Sequence, residues 1–245
     1  MGNSPIISRN HFPRLISFRQ TICYFVTQRK DPVKEVKKEK NVMPIPYRQE
    51  VYRKLIHLSS TWMAVAMYFL PSGQAALLFL ILAAANVLVE YGYYKKWPVI
   101  HPLYQLCFGQ MLRNSRGEGK FELSGGPYVP AAACLTVLCF PAPVAICAFT
   151  VMLFGDTAAA LVGRQFGKIK FANGKSLEGV LAFIAVSVLV LIVCGCIFSY
   201  PSSLYLKGCI GIVLAAAAEL YEKKLHIDDN FSIPLLVGAA MSLPW

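Results

Sequence analysis

The chain has 245 residues, of which 56% are hydrophobic and only 15% charged, and its formal net charge is +11. A water-soluble domain carries closer to a quarter charged residues, so the composition argues against an ordinary soluble fold. Half of the 24 Lys and Arg precede Leu55 and nearly all the others fall between apolar blocks, which speaks against the basic face of a nucleic-acid-binding protein and for the positive-inside bias of membrane proteins.

The first 45 residues mix Arg, Lys, Ser and Pro, with no acidic residue before Asp31, and close on the charged run Lys34 to Lys40. They are predicted to be a basic, disordered tail at the membrane face. An organelle targeting segment, or an extension upstream of a true start at Met43, are the competing readings. A signal peptide is excluded because Ile22 to Val26 is too short for its apolar core. The myristoylation pattern fails because position six is Ile6.

Residues 46–245 are read as one transmembrane domain. Apolar blocks predict spans over about 55–70, 74–91, 128–140, 142–163, 177–198, 204–220 and 231–244. They lack the two-residue alternation of barrel strands, and lipid tolerates no unpaired backbone, so they are helices. The expected fold is all-α, a polytopic membrane protein of about seven transmembrane helices. Pro141 marks a tight hairpin between the third and fourth. The long connection 92–127 holds a stretch, Ile100 to Leu112, that suits the membrane interface. With the amino terminus in the cytoplasm, all the Lys and Arg except Lys207 fall on the cytoplasmic side. The eight cysteines lie mostly within the apolar blocks, without zinc or disulfide spacing, and read as small core residues.

Carboxylates in or beside apolar helices are costly and persist when they are paired or functional. Glu90, Asp156, Glu178 and Glu219 are of this kind. Asp156 is the most telling, either a helix-packing hydrogen bond or ion pair, or a metal or phosphate site reached from the cytoplasm. Beside it Gly155, Ala159, Gly163 and Gly167 recur every four residues, a stripe that admits close helix packing. The next loop carries Arg164, Lys168 and Lys170, then Asn173-Gly174-Lys175-Ser176 before Glu178-Gly179. Asn-Gly predicts a tight turn. Ser176 is expected to cap the following helix, whose free N–H groups attract anions. A Walker A loop is absent because Ile169 stands where glycine is required.

Glu219 and the run Asp228-Asp229-Asn230 supply hard oxygen ligands suited to Mg²⁺ arriving with a nucleotide; the plainer reading of the run is a helix cap. Arg53, Lys54 and His57 stand at the mouth of the first span, either snorkelling at the interface or contacting phosphate. Arg113, Arg116 and Glu118, ahead of Leu123-Ser124-Gly125-Gly126-Pro127-Tyr128, admit the same two readings.

Taken in order, these pieces resemble the CTP-dependent lipid kinase superfamily: dolichol kinase, phytol kinase and CTP-using diacylglycerol kinase. The resemblance rests on Arg53-Lys54-x-x-His57, Leu123 to Tyr128, Gly155-Asp156-Thr157-Ala158-Ala159 running to Gly163-Arg164 and Gly167, and Gly174-Lys175-Ser176-x-Glu178-Gly179. It ends with Glu219 and Ile227-Asp228-Asp229-Asn230-x-x-x-Pro234. Phosphatidate cytidylyltransferases share the Gly-Asp helix and a Lys-x-x-Glu-Gly-like stretch, but their closing Pro-Gly-His-Gly-Gly and Asp-Arg-x-Asp signature is missing here.

The resemblance implies transfer of the γ-phosphate of CTP to the hydroxyl of a polyprenol, diacylglycerol or phytol at the cytoplasmic side of a bacterial inner membrane or an endomembrane. It implies Mg²⁺, with Asp156, Asp228, Asp229 and Asn230 as its ligands. The phosphates fall to Arg53, Lys54, His57, Arg164, Lys175 and Ser176, and the catalytic set is Asp156, Lys175, Glu178 and Glu219. A cytidylyltransferase, or a nucleotide-independent lipid transporter, is the alternative.

Overall fold

The computed structural model describes residues 47–108, 123–171, 173–225 and 227–244. The expected tail, Arg113, Arg116, Glu118 and His226 lie outside these residues, as do the side chains of Lys223 and Lys224. Among the described residues nine α-helices appear, and the only strand-like feature is an isolated bridge between Lys170 and Ser176.

The first apolar block divides into two helices where one was expected. Helix α1 (Tyr47–Ser59) and helix α2 (Thr61–Phe69) meet at Ser60. The cause is a run of hydroxyl residues. Ser59 Oγ donates to the Ile56 carbonyl and Thr61 Oγ1 to that of Leu58, both at 2.6 Å. Such back-bonding competes with the helical ladder.

Helix α3 (Ser72–Tyr94) follows Pro71, and a turn through Lys95 and Lys96 leads to the short α4 (Ile100–Phe108). Helix α4 rests on the end of α3 through aromatic contacts: His101 stacks on Tyr93 at 4.9 Å and Tyr104 lies 4.8 Å from the same ring. Helix α5 (Tyr128–Cys139) and the long α6 (Ala142–Phe166) are joined by Phe140 and Pro141, the predicted hairpin. Helices α7 (Leu177–Phe198), α8 (Ser202–Leu225) and α9 (Asp229–Ser242) complete the bundle.

Four of these are long and apolar enough to cross a membrane: α3, α6, α7 and α8 as far as Tyr221. Helix α5 is apolar but shorter. Outward-facing Leu80, Ile81, Leu189, Ile192, Val213 and Leu214 remain more than a third exposed. A helix that leaves such residues uncovered suits lipid as its solvent.

Helix α6 is the centre of the bundle, with Ala145, Cys147, Phe149, Val151, Met152 and Leu153 fully buried. It packs most extensively on α7 and also touches α9, α2, α1 and α5. The glycine stripe explains the α7 contact. A Cβ on Gly155 would stand 2.6 Å from Ser187 Oγ, one on Gly163 would stand 3.4 Å from Gly179 Cα, and one on Gly179 would stand 2.9 Å from the Ala159 carbonyl. Backbone here lies against backbone, as small residues at membrane-helix contacts allow.

At the opposite end of the bundle from Asp156, the buried Lys207 of α8 donates from Nζ to the Leu243 carbonyl at 2.5 Å. A cation placed there satisfies a helix carboxyl end.

Candidate functional site

Helix α1 carries Tyr47, Glu50, Lys54 and His57 at spacings of three, four and three, which puts them on one face. That face lies antiparallel along the last turns of α6. Tyr47 Oη donates to Gln165 Oε1 at 3.0 Å. Glu50 Oε2 lies 3.4 Å from Arg164 Nη2. The Lys54 ammonium is paired with Asp156 Oδ2, and His57 Nε2 stands 3.6 Å from the same oxygen. Lys54 is 2% exposed and Asp156 7%, so the pair is shut away from water. Burying two charges is costly, and such a pair persists only when each satisfies the other.

Glu50 was not singled out from the sequence, yet it is as deeply buried as Lys54. Its Oε1 accepts from Arg53 Nη2 at 2.6 Å and its Oε2 from Arg53 Nε at 3.3 Å. Burial disfavours its charged form. The Arg53 hydrogen bond, with the charges of Arg53, Arg164 and Lys54, outweighs burial and holds the carboxyl below the usual carboxylate range. The 47/50/54/57 periodicity of polar residues beside an apolar block was the signal that could have revealed it.

The loop after α6 closes over this cluster. Gly174 takes a φ of +87° in the expected turn. Asn173 Oδ1 accepts from Lys175 N at 3.0 Å, while its amide donates to the Leu220 carbonyl at 2.5 Å and ties the loop to α8. Lys175 Nζ thereby reaches Glu219 Oε1 at 3.2 Å. Glu219 is buried and lies within electrostatic reach of Asp156 and Lys54. Asp229, at the start of α9, is within electrostatic reach of Arg53. Arg53, Lys54, His57, Asp156, Arg164, Lys175, Glu219 and Asp229 therefore gather at one end of the bundle.

Other expected residues take different places. Ser176 caps α7, its Oγ accepting from Gly179 N at 3.2 Å, and it packs into the α6–α7 contact. Glu178 turns outward and accepts from Ile169 N at 3.3 Å, bracing the loop rather than joining the cluster. Asp228 caps α9, with its Oδ1 accepting from Asn230 N at 3.0 Å and from Asn230 Nδ2 at 2.6 Å. The Leu123–Tyr128 motif is fixed by buried Glu90, which accepts from Ser124 N at 2.7 Å and from the Ser124 hydroxyl. The Tyr128 ring then meets Phe231 of α9 at 5.9 Å.

Among the described residues, no three His, Cys, Asp or Glu side chains converge as a metal site. One feature does fit a cation: Asn230 Oδ1 is buried without a hydrogen-bond partner, beside Asp228 and Asp229. A hard oxygen with no partner suits an ion that brings most of its other ligands as water and phosphate.

Neither a family model nor a solved structure matches the chain. Among curated proteins, it is 30% identical over 188 residues to the uncharacterized protein RP860 of Rickettsia prowazekii, covering 76% of this chain and 90% of that one. The chain belongs to the family of that protein. The chain is also distantly similar to two yeast proteins that share a kinase name. The chain is 25% identical over 219 residues to CTP-dependent diacylglycerol kinase 1 of Saccharomyces cerevisiae, 80% of this chain and 73% of that one. It is 27% identical over 162 residues to the Schizosaccharomyces pombe protein of the same name, 60% of this chain and 71% of that one.

Proposed function

We propose that the chain is an integral membrane CTP-dependent lipid kinase. It transfers the γ-phosphoryl group of CTP to the hydroxyl of a membrane lipid, leaving CDP and releasing the hydroxyl proton. The observation that carries this reading is the gathering of Lys54, Asp156, Arg53, Arg164, Lys175 and Glu219, from distant stretches of sequence, at one end of a lipid-facing helix bundle. Distant similarity to CTP-dependent diacylglycerol kinases supports CTP as donor and makes diacylglycerol the first acceptor to test; polyprenols and phytol follow.

Phosphoryl transfer asks the protein mainly for positioning and for charge that offsets the equatorial oxygens. Arg53, Arg164 and Lys175 supply cations for the phosphates. Lys54 holds Asp156 in place from α1, with His57 beside it. Of the carboxylates suited to orienting the lipid alcohol, Glu219 stands within the cluster, whereas Glu178 turns outward to brace the loop. Asn230, with Asp228 and Asp229 next to it in the chain, would hold Mg²⁺, which when bound offsets charge on the transferring phosphates. The amino terminus and the cluster are assigned to the cytoplasmic side, where the nucleotide is available, and the shorter α2, α5 and α9 bring the crossings to about seven.

The test is purified protein in detergent with CTP labelled separately at the α- and γ-phosphorus and a panel of lipid alcohols and phosphatidate. The expected result is γ-label in a lipid phosphate. Label passing only from the α-position into a CDP-lipid would make the chain a cytidylyltransferase instead, and lipid movement without nucleotide would make it a transporter.

A further inference from the structure

We propose that Glu50 is a positioning residue that fixes Arg53 and Arg164 as one cradle for the donor's phosphates. The assignment rests on the phosphoryl-transfer reading above. Arg53 belongs to α1 and Arg164 to the last turn of α6, and the carboxylate of Glu50 stands between them. It meets Arg53 at 2.6 and 3.3 Å and Arg164 at 3.4 Å. The Glu50 side chain is 3% exposed, whereas those of Arg53 and Arg164 are 49% and 36% exposed. The anion is therefore at the base and the two guanidinium groups rise from it toward water.

A guanidinium has five donors in a rigid fork. Arg53 turns its Nε and one terminal nitrogen toward Glu50, which fixes the plane of the fork. Two like charges on separate helices repel one another unless an anion lies between them. Tyr47 and Lys54, one turn away on either side, hold α1 against α6 by their own contacts with Gln165 and Asp156. Glu50 is thus not needed to dock the helix; it sets where the two arginines point.

Two simple pictures give opposite signs. If Glu50 acted only through its charge, its removal would strengthen binding of an anionic nucleotide. If it aligns the fork, its removal weakens binding despite the added positive charge.

The experiment compares wild type, Glu50→Gln and Glu50→Asp at varied CTP and saturating lipid, with CTP binding followed by titration calorimetry. The expected result is a KM for CTP raised about tenfold in Glu50→Gln, with kcat within about threefold and the lipid KM unchanged. Glu50→Asp recovers most of the loss. An unchanged or lowered KM for CTP overturns the proposal, as does a fall in kcat alone. Should Glu50→Gln fail to fold, Arg164→Lys serves in its place. It keeps the charge and removes the fork, and must give the same KM-selective loss. If wild type moves no phosphoryl group from CTP, the kinase reading falls. Pyrophosphate binding to wild type and Glu50→Gln then decides the role of Glu50, and equal affinities overturn it.

Discussion

Lys54 reaches across 102 positions of sequence to pair with Asp156, and both are buried. This contact joins the polar helix ahead of the first crossing to the central helix of the bundle. Asp156 thus has two parts to play: it holds the fold through Lys54, and it is proposed to serve the chemistry.

Asp156→Asn leaves the Lys54 ammonium buried without its counter-ion, a loss of about 3–5 kcal/mol for pairs of this kind. The double variant Lys54→Met with Asp156→Leu is expected to regain most of the thermal stability but none of the phosphoryl transfer. Thermal unfolding in detergent and the γ-label assay report the two effects separately. Activity in the stable double variant would remove Asp156 from the mechanism.

Close packing of α6 on α7 predicts a sharp difference between glycines. Gly179→Ala places its methyl 2.9 Å from the Ala159 carbonyl and 3.2 Å from Gly163 Cα. These are backbone atoms that yield poorly, so a loss of about 1–3 kcal/mol is expected. Gly73→Ala, with nothing within 4 Å, is the neutral control. Equal thermal midpoints for the two variants would contradict this account of the contact.

Glu50 predicts an acid-sensitive component of stability. Its folded-state pKa lies below that of the unfolded chain, which is about 4.3 for glutamate. The stabilisation is therefore complete above that value and is lost as pH falls through the folded-state pKa. Wild type is expected to unfold at a higher temperature than Glu50→Gln at pH 6, and the gap is expected to close on acidification below about pH 4. A gap that stays constant down to pH 3 would mean that Glu50 is not ionised in the folded protein.

Glu178 and Glu219 are expected to separate kinetically. Glu178→Gln retains an acceptor for Ile169 N on an exposed loop and should keep kcat within about threefold of wild type. Glu219→Gln deprives Lys175 of its buried partner and should lower kcat/KM by about a hundredfold or more. Steady-state rates with CTP and diacylglycerol make the comparison, and a reversal of the two effects would move the proposed alcohol-orienting role to Glu178.

Much of the bundle was legible because lipid imposes a simple rule on sequence. Uninterrupted apolar runs placed α3, α6, α7 and α8, and the Pro141 hairpin and the Asn173-Gly174 turn followed from local backbone chemistry. The break at Ser60 was not visible, since it depends on hydroxyls choosing carbonyls over solvent within an otherwise helical run. In the site, Asp156 and Glu219 stood out as carboxylates in costly places, and Lys54 and Lys175 as cations able to meet phosphate. The caps at Ser176 and in the Asp228–Asn230 run were also legible from local helix-start chemistry, but nothing in the residues alone says that Lys54 pairs with Asp156. Glu50 escaped notice because it sits in a polar stretch, where a glutamate looks ordinary until α6 covers it.

Lys207 has a consequence for mapping the chain in its membrane. With the proposed orientation it is the one lysine among the described residues on the far side, and its amine is turned inward onto the Leu243 carbonyl. An impermeant amine-reactive reagent applied to sealed vesicles from that side should therefore leave Lys207 unlabelled, while the same reagent applied from the other side finds Lys95, Lys96, Lys168 and Lys170.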